Sequence, residues 1–286
     1  MIALPIVDSV SEAWTLALER VVAEPGGRLV HLVSTVADPG AEIPAVRRVL
    51  DLALEAADKQ SVDTVAGTIF PSSLYPDPGY GWMPGIAVDK QAALDAAADA
   101  LYANYCDMLP LLLTASGNNR GTYFGRMVSW PGKAAGGPNQ LADRITALRS
   151  EHRAGRQRNN TLDVDVAADS QAMLPGVQVY AATDKRRRGF PCLTHIDLTL
   201  HDGHLHCMAV YRHQYLVEKA YGNMLGLCAL VQFLCQQSGY EPGELVVHAT
   251  MADAQRGDFP GVARLAADAR STLDAAAADD DRVDGS

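Results

Sequence analysis

The chain predicts a mixed α+β fold in one domain. Three observations carry this. Helical-period segments with recognisable starts and stops fill much of the first half. Two alternating apolar–polar runs later in the chain flank Asp202-Gly203, a two-residue hairpin signal. No internal repeat and no convincing linker divides the sequence.

Taken in order, Ser9 or Ser11 followed by Glu, Ala, Trp and Leu residues opens a helix to about Val22, ended by Pro25-Gly26-Gly27. Arg28–Val36 alternates as a strand. Residues 44–57 form an amphipathic helix, and 64–70, rich in Thr, Val, Ile and Phe, a short strand. Four prolines make 71–84 an irregular loop. Residues 89–105 read as an Ala-rich helix, 132–138 as a Gly-rich break and 140–152 as a further helix. Alternation over 193–200 gives a strand that returns over 205–211, and an apolar helix runs from Gly222 to Gln237. Residues 275–286, rich in Ala and Asp, read as a disordered acidic tail behind a domain of 1–274.

At 286 residues the chain is long enough to bury a large core, and 48% hydrophobic content fits a water-soluble protein. A net charge of -10 disfavours a general nucleic-acid surface, so any basic site must be local, as Lys185-Arg186-Arg187-Arg188 is. The cysteines (106, 192, 207, 228, 235) show no paired spacing, and Cys228 and Cys235 fall in an apolar helix as core. No apolar run approaches a membrane span, and a reduced cytoplasm is the simplest setting.

Chemistry concentrates in 191–223. If His201 pairs with His204 across the turn, Cys192 comes opposite His213 and Leu193 opposite Arg212. A bulge or the strand end decides whether Arg212 faces the sulfur. A guanidinium near a thiol favours the thiolate. A thiolate can add to carbon 6 of a pyrimidine and make carbon 5 nucleophilic. Arg212 could equally hold a phosphate. Asn223 both donates and accepts, matching the carbonyl and ring N–H of uracil. Each residue also has a structural role open to it: core thiol, solvated arginine, helix cap. Two rival signals are weaker. His201, Asp202, His204 and His206 lack a fourth metal ligand, so no metal is expected there. The Gly-rich stretch at 132–137 lacks the lysine and serine of a phosphate-binding loop.

These residues resemble the thymidylate synthase superfamily, which includes the dCMP and CMP hydroxymethylases. The resemblance rests on Pro191-Cys192, the Asp202-Gly203 hairpin, Tyr211-Arg212, Gly222-Asn223 with its apolar helix, and Glu241-Pro242-Gly243-Glu244-Leu245. Tyr123-Phe124-Gly125-Arg126, Trp130 and Asn139-Gln140 extend it upstream, to about half the chain. It implies a thymidylate synthase-like fold, with a large mixed sheet flanked by helices and packed sheet-to-sheet in a homodimer. It implies folate-dependent one-carbon transfer to carbon 5 of a pyrimidine nucleoside monophosphate, with 5,10-methylenetetrahydrofolate as co-substrate. Cys192 would be the nucleophile, Arg212 a phosphate ligand that also orients the sulfur, and Asn223 the base reader. His213 stands where a family serine touches phosphate. Arg156 and Arg158 are the arginines expected from the partner subunit, ahead of a strand at 161–166, and Arg28 matches a mobile N-terminal arginine. Tyr123, Phe124 and Tyr215 would line the pterin pocket.

The chain also departs from the pattern. Tyr215 replaces the family's pterin-organising aspartate. Asp253 and Gln255 replace the His and Tyr that bind the sugar 3′-hydroxyl. A family glutamate near the folate has no counterpart. These departures favour a ribonucleotide or unusual nucleotide over dUMP, and hydroxymethylation over methylation. The alternatives are a thymidylate synthase proper, making dTMP from dUMP, and a nucleotide-binding relative without catalysis.

Overall fold

Ser9 starts the first helix with a reciprocal pair of bonds. In the computed structural model, which describes residues 1–115, 118, 121–155, 177–179 and 192–284, Ser9 Oγ accepts from the Glu12 N–H at 3.2 Å. Glu12 Oε2 accepts from the Ser9 N–H at 2.9 Å. Two orphan amide groups are satisfied at once, which fixes where the helix begins. Helix α1 (Val10–Val22) connects strands β1 (Ile2–Val7) and β2 (Arg28–Val36), which run parallel as a βαβ unit. Overall the protein is α+β, with a mixed sheet flanked by helices.

The chain forms two compact units, each built from more than one stretch of sequence. The first contains Met1–Ala66, Val210–Cys228 and Glu244–Ser286. Its helices are α1, α2 (Pro44–Ala56), α3 (Val62–Gly67), the start of α7 (Tyr221–Ser238) and α8 (Val262–Asp284). Within it β2 pairs antiparallel with β7 (Glu241–Asp253), setting Arg28 opposite Asp253 and Val36 opposite Leu245. The short β6 (Gln214–Tyr215) runs parallel to β7, with Tyr215 also opposite Asp253. A π-helical turn, Leu216–Ala220, leads into α7. Helix α8 packs on α1 and α2. Trp14 is fully buried. Its indole N–H donates to the Leu216 carbonyl at 2.8 Å, and its ring meets Tyr221 edge-on at 5.5 Å. A buried indole keeps its large apolar contact only if the N–H finds an acceptor, as here.

The second unit contains Gly67–Ala209 and Ala229–Gly243. Its helices are α4 (Val88–Leu112), α5 (Tyr123–Val128), α6 (Gln140–Ala154) and the end of α7. Strand β3 (Val177–Gln178) pairs antiparallel with β4 (Leu193–His201), which turns into β5 (His204–Tyr211). The turn residues Asp202 and Gly203 have φ of 46° and 82°. Two left-handed residues in succession match the right-handed strand twist and make a tight two-residue hairpin. Phe124 fills the core against Tyr105 and Phe70, with ring centroids 4.8 and 5.8 Å away. Arg149 is buried too. It donates from Nε to the Gln237 carbonyl and from Nη2 to the Gln237 side chain, at 2.6 and 2.9 Å. Nη1 pairs with Asp95 at 2.6 Å, so the desolvated charge is matched.

Two expectations are corrected. Residues 64–70 do not form a strand, because α3 occupies Val62–Gly67. The Ser61 hydroxyl accepts the Thr64 N–H at 3.2 Å, and this local cap outweighs the β-branched composition. The region read as a disordered tail continues α8 as far as Asp284, in keeping with the helix preference of alanine. The helix is also tied down earlier, where Arg270 pairs with Glu19 of α1.

Candidate functional site

The sequence-predicted residues fall into two groups, one in each unit. In the second unit, Cys192 sits immediately before β4 and is half-buried. Its backbone N–H donates to the Tyr123 hydroxyl at 3.3 Å, and the Leu193 N–H points to the same oxygen at 3.5 Å. Tyr123 opens α5, whose N-cap Thr122 accepts the Gly125 N–H. The phenol therefore anchors the start of the strand to a capped helix. Burial pushes the Tyr123 phenol up to about 12, and the Cys192 thiol beside it adds to the rise. At neutral pH the hydroxyl keeps its proton and remains a donor next to the thiol.

The remaining thiols differ. Burial pushes Cys228 and Cys235, both in α7, up to about 12, so they stay protonated and act as small apolar core residues. Cys207 is buried in β5. Cys106, on α4, is half-buried and is also shifted up by burial. No disulfide joins the five cysteines.

In the first unit the structure brings five predicted residues together where β2 begins and β7 ends. Asp253 is buried, and its Oδ2 accepts from Arg28 Nε at 2.8 Å. His213 Nε2 lies 3.4 Å from the same oxygen. Asp253 Oδ1 accepts the Gln255 N–H at 2.8 Å. Tyr215 lies against the His213 ring, centroids 4.6 Å apart. Gln255 is buried with φ of 56°, a costly backbone state for a residue with a Cβ. Its amide holds that position by bonding Glu218 twice. The Glu218 N–H donates to Oε1 at 3.0 Å, and Nε2 donates to the Glu218 carboxylate at 2.8 Å. Lys59 completes the chain with a 3.1 Å ion pair to Glu218.

Sequence reasoning missed Glu218 and Lys59, because a π turn and a distant loop bring them in. It also missed Gln214. That side chain is buried, and its Nε2 has no acceptor among the described residues. The one available signal was its place directly between His213 and Tyr215.

Arg212 is half-buried between β5 and β6. Asn223 is buried near the start of α7. Gly222 before it is required by close packing, since a Cβ there would stand 2.7 Å from the Val62 carbonyl oxygen and 2.7 Å from Val65 Cβ. Arg156, Arg158, Pro191, the Lys185-Arg188 run and the strand expected at 161–166 lie outside the described residues.

Of the three residues expected to line an aromatic pocket, Phe124 is a core residue with 0% exposure. The Tyr123 hydroxyl is taken up by the Cys192 strand. Tyr215 is 40% exposed to solvent. Asp253 and Gln255 use their polar atoms on protein groups, so a sugar hydroxyl at either would share an atom already engaged. Among the described residues, no helix is long and apolar enough to cross a membrane.

No protein-family model matches the chain, and no curated protein matches it.

Proposed function

We propose that the protein transfers a one-carbon unit to carbon 5 of a pyrimidine nucleoside monophosphate, leaving hydroxymethyl rather than methyl. The observation that carries this reading is the half-buried thiol of Cys192 at the head of β4, held by its backbone to a protonated tyrosine. Cys192 adds to carbon 6 of the base, and carbon 5 takes up the one-carbon unit and gives up its proton. Water adds to the transferred carbon as tetrahydrofolate leaves, and Cys192 departs with the sulfur regenerated. Tyr123 fixes the backbone that carries the sulfur. Arg212 and His213 take the phosphate, and Asn223 reads the base edge. Methylenetetrahydrofolate supplies the carbon as co-substrate, and Tyr215 is the aromatic face best exposed to stack on its pterin. A homodimer, with Arg156 and Arg158 reaching the partner's phosphate, belongs to the same proposal.

The test incubates the protein with CMP, UMP, dCMP and dUMP plus methylenetetrahydrofolate and reads the products by mass. A 5-fluoropyrimidine nucleotide with folate serves as a trap for Cys192. A hydroxymethylated product and a Cys192 adduct are expected. Failure of all four nucleotides, with Cys192 unmodified, removes the proposal.

A second reading is a nucleotide binder without catalysis. Its support is the engagement of Asp253 and Gln255 with protein groups, which leaves the sugar positions altered. Such a binder is thermally stabilised by nucleotide alone, and Cys192→Ser leaves that stabilisation unchanged.

A further inference from the structure

We propose that His31 and His248 form a two-histidine site for a transition-metal dication, with Cu²⁺ as the probe. The sequence reading expected no metal, because strand register rather than spacing along the chain brings this pair together. In the β2–β7 ladder Val30 is opposite Met251, Leu32 opposite Ala249 and Val33 opposite His248. His31 and His248 are therefore diagonal neighbours, on one face of an antiparallel pair. His31 Nδ1 and His248 Nε2 stand 3.0 Å apart.

The contact is a hydrogen bond between the rings, with centroids 5.3 Å apart and planes 31° from parallel. An ion bound by both nitrogens would take the place of the bridging proton, with the rings tilting so that both lone pairs meet it. His31 is exposed, so its ring can make that tilt without displacing packed neighbours.

The backbone supplies a second observation. His31 has φ of 57° in the middle of a strand whose pairing with β7 keeps one register on either side. A non-glycine residue in that state is unfavourable, and such residues concentrate at ligand sites. None of these atoms belongs to the nucleotide reading, so the two proposals stand or fall separately.

The test titrates the full chain with Cu²⁺ itself, followed by calorimetry and electron paramagnetic resonance. The variants are His31→Gly, which keeps the left-handed backbone, and His248→Val, which suits a strand. A His204→Ala/His206→Ala double variant controls for the exposed hairpin histidines. Far-UV circular dichroism without metal shows which variants keep the fold, and His248→Gln substitutes for either that does not. One Cu²⁺ per chain with two-nitrogen hyperfine structure is expected. Affinity should fall roughly tenfold or more in His31→Gly and in His248→Val and stay unchanged in the hairpin variant. Absence of Cu²⁺ binding by the wild-type chain overturns the proposal. So does unchanged binding in both variants, or a loss seen in the hairpin variant instead.

Discussion

Asp253 is the residue whose replacement separates the forces in the first-unit cluster. Its carboxylate is buried and has three neighbours: the Gln255 N–H at 2.8 Å, Arg28 Nε at 2.8 Å and His213 Nε2 at 3.4 Å. The Arg28 side chain is 66% exposed, so solvent screens that pair to about 1 kcal/mol or less. The Gln255 N–H is different, because Gln255 is buried and loses its acceptor if the carboxylate is removed. An unmet buried donor costs about 1–3 kcal/mol. Asp253→Ala should therefore destabilise the protein by about 1–4 kcal/mol. Asp253→Asn keeps an oxygen for the Gln255 N–H and should cost only about 1 kcal/mol. Urea denaturation followed by tryptophan fluorescence measures both, with Trp14 buried in the same unit. If Ala lies within about 0.5 kcal/mol of wild type, or Asn is as damaging as Ala, the buried amide is not what Asp253 supports.

Three further outcomes follow from the same geometry. Burial lowers the His195 pKa from its ordinary value, with Asp197 opposing the shift. The folded state thus disfavours the charged ring, and the stability present above about pH 6.5 is lost as pH falls through the lower folded value. His195→Gln should narrow the difference in melting temperature between about pH 7.5 and about pH 5, as scanning calorimetry would show. Gly222→Ala pushes a methyl into the Val62 carbonyl and Val65. It should cost about 1–3 kcal/mol in urea titration, against the helix preference of alanine of about 1 kcal/mol. Tyr123→Phe removes the acceptor for the Cys192 and Leu193 amides. Peptide mass mapping should show Cys192 alkylated faster by roughly fivefold, a change on the order of 1 kcal/mol, while the buried Cys228 and Cys235 stay protected.

Local chemistry was readable in the sequence, and distant pairing was not. The start of α1 was legible because Ser9 and Glu12 are three residues apart and satisfy each other. The hairpin was legible because Asp202 and Gly203 tolerate positive φ. Strand β2 matched its alternation from Arg28 to Val36. Strand β1 was missed, as a short segment interrupted by Pro5. Helix α4 outran its expected end near Tyr105 and reaches Leu112 with Pro110 in its last turn. At the site, Arg28, His213, Tyr215, Asp253 and Gln255 were singled out only by the family resemblance, and for ligand-binding roles rather than for contacts with one another. Their mutual contacts depend on the register that sets Arg28 opposite Asp253, which no local pattern reveals. The Glu218 bonds depend on a π turn, a local geometry without a sequence signature of its own.

The pairing of β2 with β7 joins Arg28 to Asp253 and Val36 to Leu245, segments far apart along the chain. During synthesis the βαβ segment emerges long before β7 and must wait for it before the open edge of β2 is covered. Long-range closure of this kind slows folding, and it leaves an unpaired edge exposed to neighbouring nascent chains. Recombinant yield should therefore respond to translation speed and to holding chaperones more than the finished protein's stability would suggest.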